Sequence, residues 1–126
     1  MTDIDEFAKN IVPQKMNNAR VSVDAFVEAH NAGNAVLVDI RLPMETAVWS
    51  INFGIQLPAN ELPDRLNELP KDKTIVVACP MTDRSNMAYS YLVNKGFDVK
   101  YLQGGLLGLV DRLKGGRAKD ISLSRT

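Results

Sequence analysis

The sequence is poor in the residues that most often carry chemistry: one cysteine, one histidine and one tryptophan in 126 residues. A single cysteine excludes an internal disulfide, and one cysteine with one histidine falls short of a zinc ligand set, so neither a metal nor a cofactor is expected. Charge of one sign is also missing. Fifteen basic residues face fifteen acidic ones, which leaves no broad basic field for non-specific nucleic-acid binding, and no nucleic-acid partner is expected. No apolar run approaches the length needed to cross a bilayer. The opening Met1-Thr-Asp-Ile-Asp-Glu6 is acidic and lacks the basic segment and apolar run of a secretory leader. No membrane partner and a cytoplasmic location follow as expectations. Repeats and low-complexity segments are absent too.

What is present is a 45% hydrophobic chain, enough to bury the core of one domain, and no second domain is expected. Thr74 to Gly96 organises it. Thr74-Ile-Val-Val-Ala78 is short, apolar and rich in β-branched residues, the pattern of a strand buried on both faces. Beyond Pro80 the period changes: Met87, Ala88, Tyr91 and Leu92 share one helical face, and Gly96 stands where a left-handed helix stop is expected. Cys79 closes the strand and opens the polar turn between the two elements. N–H groups of such a turn and of the first helical residues lack intrahelical partners and point towards the strand's end. Helix N-termini and neighbouring cations favour the thiolate, the nucleophilic form of cysteine; Arg84 supplies the cation. A lone cysteine is otherwise a small buried hydrophobe, and its place at the end of the strand is what sets Cys79 apart.

Residues 1–20 read as a helical N-terminal extension packed on the domain, with Ile4, Phe7, Ala8 and Ile11 on one face, Thr2 or Asp3 as N-cap and Pro13 as the stop. Ser22 is expected to cap the next helix, with Phe26 and Val27 inward, Gly33 as its stop and His30 on the surface. Ala35-Val-Leu-Val-Asp39 is a second buried strand. Functional groups in open α/β sheets collect outside the carboxyl ends of parallel strands, so Asp39 and Arg41 are expected near Cys79, as a local salt bridge that supports the site. Pro43 to Trp49 reads as a short helix, with Trp49 in the core or at its rim. Asn60 caps a helix to about residue 69 that turns Leu62, Leu66 and Leu69 inward. Asp98 to Leu102 is a third strand. Gly104-Gly105 either merely reverses the chain or lets the backbone pass close to the Cys79 loop, and the following helix carries Leu106, Leu109, Val110 and Leu113. Residues 115–126 are polar and basic with no apolar period, and are expected to be mobile. The alternation of strands and helices points to an α/β fold with a parallel sheet covered on both faces.

Three segments, Asp39-Ile-Arg41, Cys79-Pro-Met-Thr-Asp-Arg84-Ser85 and Leu102-Gln-Gly104-Gly105, resemble in order and spacing the single-domain members of the rhodanese-homology family, over residues 21–114. The resemblance implies a rhodanese-like α/β fold, with a central, mostly parallel sheet and helices on both faces, and a sulfurtransferase. Cys79 and Arg84 would be catalytic. Pro80, Met81, Thr82, Asp83 and Ser85 would form the substrate-binding loop, and Asp39 and Arg41 would organise it. The chain departs from the family at 50–58, where Ser50 replaces the usual His and Ile55 a small Ala.

The chemistry expected is attack of the Cys79 thiolate on the outer sulfur of thiosulfate or a persulfide, followed by transfer to a thiol or cyanide acceptor, proteins included. Backbone N–H groups of Met81 to Ser85 would hold the transferred sulfur and any anionic oxygens, with Arg84 adding charge. Pro80 removes one N–H from that cradle, and Asp83 offsets part of Arg84's field, so a persulfide fits better than thiosulfate. Cysteine-dependent phosphatases of the cell-cycle type also resemble this domain, but their loop carries one residue more than the six from Cys79 to Arg84. A binding module without turnover is the non-enzymatic rival; a redox-sensing thiol is weaker, since no resolving cysteine exists. A monomer or weak homodimer is expected.

Overall fold

In the computed structural model of the protein, residues 4–123 are described. The strands among them are β1 (Arg20–Val21), β2 (Ala35–Asp39), β3 (Ile55–Gln56), β4 (Thr74–Ala78) and β5 (Val99–Leu102). They form one sheet in the order β1-β5-β4-β2-β3, with every pairing parallel. The apolar run of β4 explains its central place. Successive side chains point to opposite faces, so Ile75 and Val77 enter one layer with Val38, Leu62, Leu92 and Tyr101, while Val76 and Ala78 enter the other with Phe26, Leu37, Leu106 and Leu109. A strand buried on both sides cannot spare a polar face. β2 and β4 are in register from Ala35 opposite Thr74 to Asp39 opposite Ala78, and Ile40 N–H donates to the Ala78 carbonyl at 3.1 Å. The two strands therefore end level.

The helices are α1 (Ile4–Lys9), α2 (Pro13–Ala19), α3 (Val23–Asn31), α4 (Pro43–Thr46), α5 (Leu62–Arg65), α6 (Asp83–Asn94) and α7 (Gly105–Leu113). Helices α2, α5 and α6 cover one face of the sheet, and α3 and α7 the other. The Ser22 hydroxyl caps α3 by accepting from Ala25 N–H at 3.1 Å. No helix among the described residues is long and apolar enough to cross a membrane.

Several expectations change. Pro13 does not only end the first helix; it starts a second one at a first-turn position where its missing N–H costs nothing. Of α1, Phe7 reaches Tyr89 with ring centroids 6.3 Å apart, while Ile4 stays exposed; Thr2 and Asp3, the expected caps, lie outside the described residues. Asn60 sits within a 3₁₀ turn, Ala59–Glu61, ahead of α5, and a second 3₁₀ turn, Leu66–Glu68, follows, so the expected single helix is three short pieces. Met87 is exposed although Ala88 and Leu92 are buried.

His30 is the largest correction, being buried rather than on the surface. Its ring lies 5.7 Å from that of Phe26 and 5.0 Å from that of Phe53, and its Nε2 is 2.7 Å from the Ser122 carbonyl oxygen. The segment that covers it is the one expected to be mobile. Gly115–Asp120 forms a 3₁₀ helix, the Asn31 amide donates to the Asp120 carbonyl and accepts from Ser122 N–H, each at 2.8 Å, and Arg112 bridges Asp24 and Asp120. Docking through backbone groups leaves no apolar period to read. Residues 124–126 lie outside the described part.

Candidate active site

Because β4 ends level with β2, Cys79 leaves the sheet one residue beyond the Ala78–Asp39 pair and enters a turn that runs directly into α6. The first N–H groups of α6 have no intrahelical acceptors. One of them, Ser85 N–H, points at Cys79 Sγ at 3.4 Å, and the sulfur in turn approaches Asp83 Oδ1 at 3.9 Å. The Ser85 hydroxyl is spent on the Thr82 carbonyl at 3.0 Å, so it supports the loop and does not face the sulfur. Cys79 itself is fully buried.

From behind, the Gly104-Gly105 turn closes on the loop. Leu106 N–H donates to the Cys79 carbonyl at 2.8 Å and Leu107 N–H to the Pro80 carbonyl at 3.2 Å. Gly105 has φ +64°, and a Cβ there would overlap the carbonyl oxygens of Met81, Pro80 and Cys79, the last at 2.7 Å. Of the two readings open for the paired glycines, close approach to the Cys79 loop is the one the fold uses.

Asp39 and Arg41 form the local pair that was expected. Arg41 Nε and Nη2 engage both carboxylate oxygens between 2.8 and 3.2 Å, and Arg41 N–H adds a bond to Oδ1 at 3.1 Å. Arg41 also donates to the Trp49 carbonyl at 3.2 Å and stacks its guanidinium 3.9 Å from the indole centroid. Trp49 is thus a half-buried rim residue. Both members of the pair are buried, so Arg41 is a brace for the loop after β2, its Nε and Nη2 engaged by Asp39 and the Trp49 carbonyl.

Arg84 has a partner that the sequence reading did not foresee. Its Nη1 and Nη2 donate to the two carboxylate oxygens of Glu45, at 2.7 and 2.8 Å. Glu45 is held in turn by Leu42 N–H at 3.0 Å. The hydrogen bond from Arg84, then that from the Leu42 backbone, lowers the Glu45 carboxyl to about 2, and the same pairing raises the Arg84 guanidinium above its ordinary value. Expected to face an anion over Cys79, the arginine faces a carboxylate of its own chain. A signal was available: Glu45 lies in the first turn of a proline-initiated helix just past the end of β2, the same sheet edge that carries Cys79.

A family profile for the Rhodanese-like domain matches residues 22–111. The chain belongs to that family. Among proteins it resembles, a sulfurtransferase of Allochromatium vinosum is 40% identical over 75 residues, covering 59% of this chain and 70% of that protein. The thiosulfate sulfurtransferase GlpE of Stutzerimonas stutzeri is 41% identical over 76 residues, covering 60% and 69%. Among solved structures, reduced Bacillus anthracis CoADR-RHD matches at 32% identity and a TM-score of 0.71, covering 86% of this chain and 19% of that one. A rhodanese-related protein of Thermoplasma volcanium matches at 26% and 0.66, covering 74% and 91%. A Rhodopseudomonas palustris protein described as a possible tyrosine phosphatase matches at 21% identity and a TM-score of 0.66, covering 78% and 85%, a likeness of fold alone.

In this rhodanese-like domain the expected site residues fall into four groups. Cys79, Asp83 and Ser85 meet at the sulfur. Pro80, Met81 and Thr82 shape the turn around it, with Met81 exposed at its tip. Asp39 and Arg41 brace the neighbouring strand end, while Arg84 stands at the edge, joined to Glu45. Among the described residues no group of three or more His, Cys, Asp and Glu side chains is placed to hold a metal ion.

Proposed function

We propose that the protein is a sulfurtransferase in which Cys79 carries the sulfur. The observation that supports this best is the Ser85 N–H aimed at Sγ from the first turn of α6, in a family whose similar members include proteins named sulfurtransferase. The Cys79 thiolate attacks the outer sulfur of a persulfide, R–S–SH, so that Cys79–S–SH forms and R–S⁻ leaves; with thiosulfate the leaving group is sulfite. An acceptor thiolate or cyanide then attacks the outer sulfur and returns Cys79 to its thiolate. The Ser85 N–H at the start of α6 would help hold the extra sulfur and its charge. Since Cys79 has no exposed surface, the donor must displace part of its surroundings to reach the sulfur, whose near neighbours include the Asp83 carboxylate at 3.9 Å.

The same burial, with Pro80 lacking an N–H and Arg84 already paired, favours a second reading: a rhodanese-fold binding module with little turnover. Phosphate ester hydrolysis is supported less, because a phosphate dianion over Cys79 would need the guanidinium that Glu45 holds and would meet Asp83. Turnover separates the readings. Incubation with a persulfide donor and cyanide should release thiocyanate faster than the same mixture with Cys79→Ser protein; equal release from both excludes transfer through Cys79.

A further inference from the structure

The countercharge on Arg84 has a bearing on which donor the site takes. Both Nη groups of the guanidinium are engaged by the two oxygens of one carboxylate, and such a paired fork is the geometry with which arginine otherwise grips a ligand's oxyanion. Glu45 is fixed for this by the Leu42 N–H bond and by its place in α4. With Arg84 counted as +1, and Glu45 and Asp83 as −1 each, the rim beside Cys79 sums to −1, where a thiosulfate site needs positive charge. Next to the pair the surface is apolar. A cleft of about 240 Å³ beside Arg84 is lined by Leu62, Pro63, Met87 and Tyr91, and Met87, an exposed methionine at 75%, stands one turn beyond Arg84. On the other side of the pair, Leu42 and Met44 flank Glu45 and are exposed as well.

We propose that Glu45 is a specificity-determining residue: by occupying Arg84 it sets the donor class to a persulfide of low charge bearing an apolar organic group, which lies in the Leu62–Met87–Tyr91 cleft, and against the thiosulfate dianion. This rests on Cys79 being the sulfur carrier. The step is RS–SH + Cys79–S⁻ → RS⁻ + Cys79–S–SH; the sulfur–sulfur bond of the donor breaks, a new one forms at Cys79, and the thiolate leaves carrying the electron pair. A dianion meeting one negative charge more or fewer at surface separations changes its rate roughly tenfold, and an uncharged apolar persulfide is far less sensitive.

The test follows sulfur loading by intact mass, with benzyl persulfide and thiosulfate as separate donors, on the wild-type protein, Glu45→Gln and Met87→Gln, all checked for folding by circular dichroism. The wild-type protein should load faster from benzyl persulfide than from thiosulfate. In Glu45→Gln the thiosulfate-to-benzyl-persulfide rate ratio should rise roughly tenfold, the effect of one unit charge on a dianion. Met87→Gln, at an exposed position that the fold does not need, should slow loading from benzyl persulfide several-fold. An unchanged or lower ratio in Glu45→Gln overturns the role given to Glu45 while leaving Cys79 as the carrier. Absence of loading from either donor in all three folded proteins overturns both.

Discussion

Replacing Gly105 by alanine tests how the site is built. Two costs add. At φ +64° an L side chain pays about 1–2 kcal/mol of left-handed strain. The new Cβ also overlaps three consecutive carbonyl oxygens, those of Cys79, Pro80 and Met81, and forcing a methyl into packed surroundings costs a further 1–3 kcal/mol, roughly. The turn cannot step back cheaply, because Leu106 N–H and Leu107 N–H are bonded to two of those carbonyls. Gly105→Ala should therefore destabilise by about 2–5 kcal/mol, a fall in Tm of roughly 8–20 °C for a chain of this size, and should also slow sulfur loading by moving the Cys79 loop. Gly96→Ala is the control: φ is +89° but nothing lies within 4 Å of its Cβ, so strain alone, about 1–2 kcal/mol, remains. Thermal unfolding by circular dichroism and loading by mass are read on both variants. If Gly105→Ala melts with or above Gly96→Ala, the close packing of the glycine turn on the Cys79 loop is refuted.

Arg41→Ala leaves the buried Asp39 carboxylate without its partner and should cost about 3–5 kcal/mol in urea unfolding; the double change Asp39→Leu with Arg41→Met should recover only part, since the Trp49 carbonyl and Arg41 N–H stay unpaired. The Glu45 carboxyl is lowered from 4.5 to about 2, so its contribution is fully present above pH 4.5 and lost as pH falls through about 2. The difference in unfolding free energy in urea between the wild-type protein and Glu45→Gln should accordingly be constant from neutral pH to pH 5 and shrink below 4.5, staying within about 1 kcal/mol because the pair is partly exposed; a difference that shrinks already between pH 7 and 5 contradicts the pairing. Asn31→Ala removes two of the side-chain bonds that dock the chain near Asp120 and Ser122, and should speed hydrogen exchange and proteolysis after Lys114 without altering sulfur loading.

The parts of the fold that could be read in advance are those where one physical pattern dominates. β4 could be recognised because a strand buried on both faces has only apolar residues, and the Ser22 cap and the Gly33 and Gly96 stops because few residues serve in those places. The site was visible to the extent that it is local in sequence: Cys79 with the start of α6, and Asp39 with Arg41. What was missed depends on tertiary placement. Arg84 and Glu45 are 39 positions apart, and nothing local says which carboxylate an arginine at a sheet's carboxyl edge will find. His30 looked polar and peripheral until residues 115–123 folded over it. β1 and β3 have two residues each, too short to show an alternation. Met87 shares the helical period of Ala88 and Leu92 yet is exposed, an apolar residue whose placement packing does not explain.

The most direct measurement is the intact mass of the protein after exposure to a persulfide donor, beside Cys79→Ser treated in the same way. A gain of one sulfur on the wild-type chain, lost again on adding a thiol, with no gain on the serine variant, is the result this account predicts. A wild-type mass that does not change, or a sulfur that appears equally on the serine variant, would contradict it.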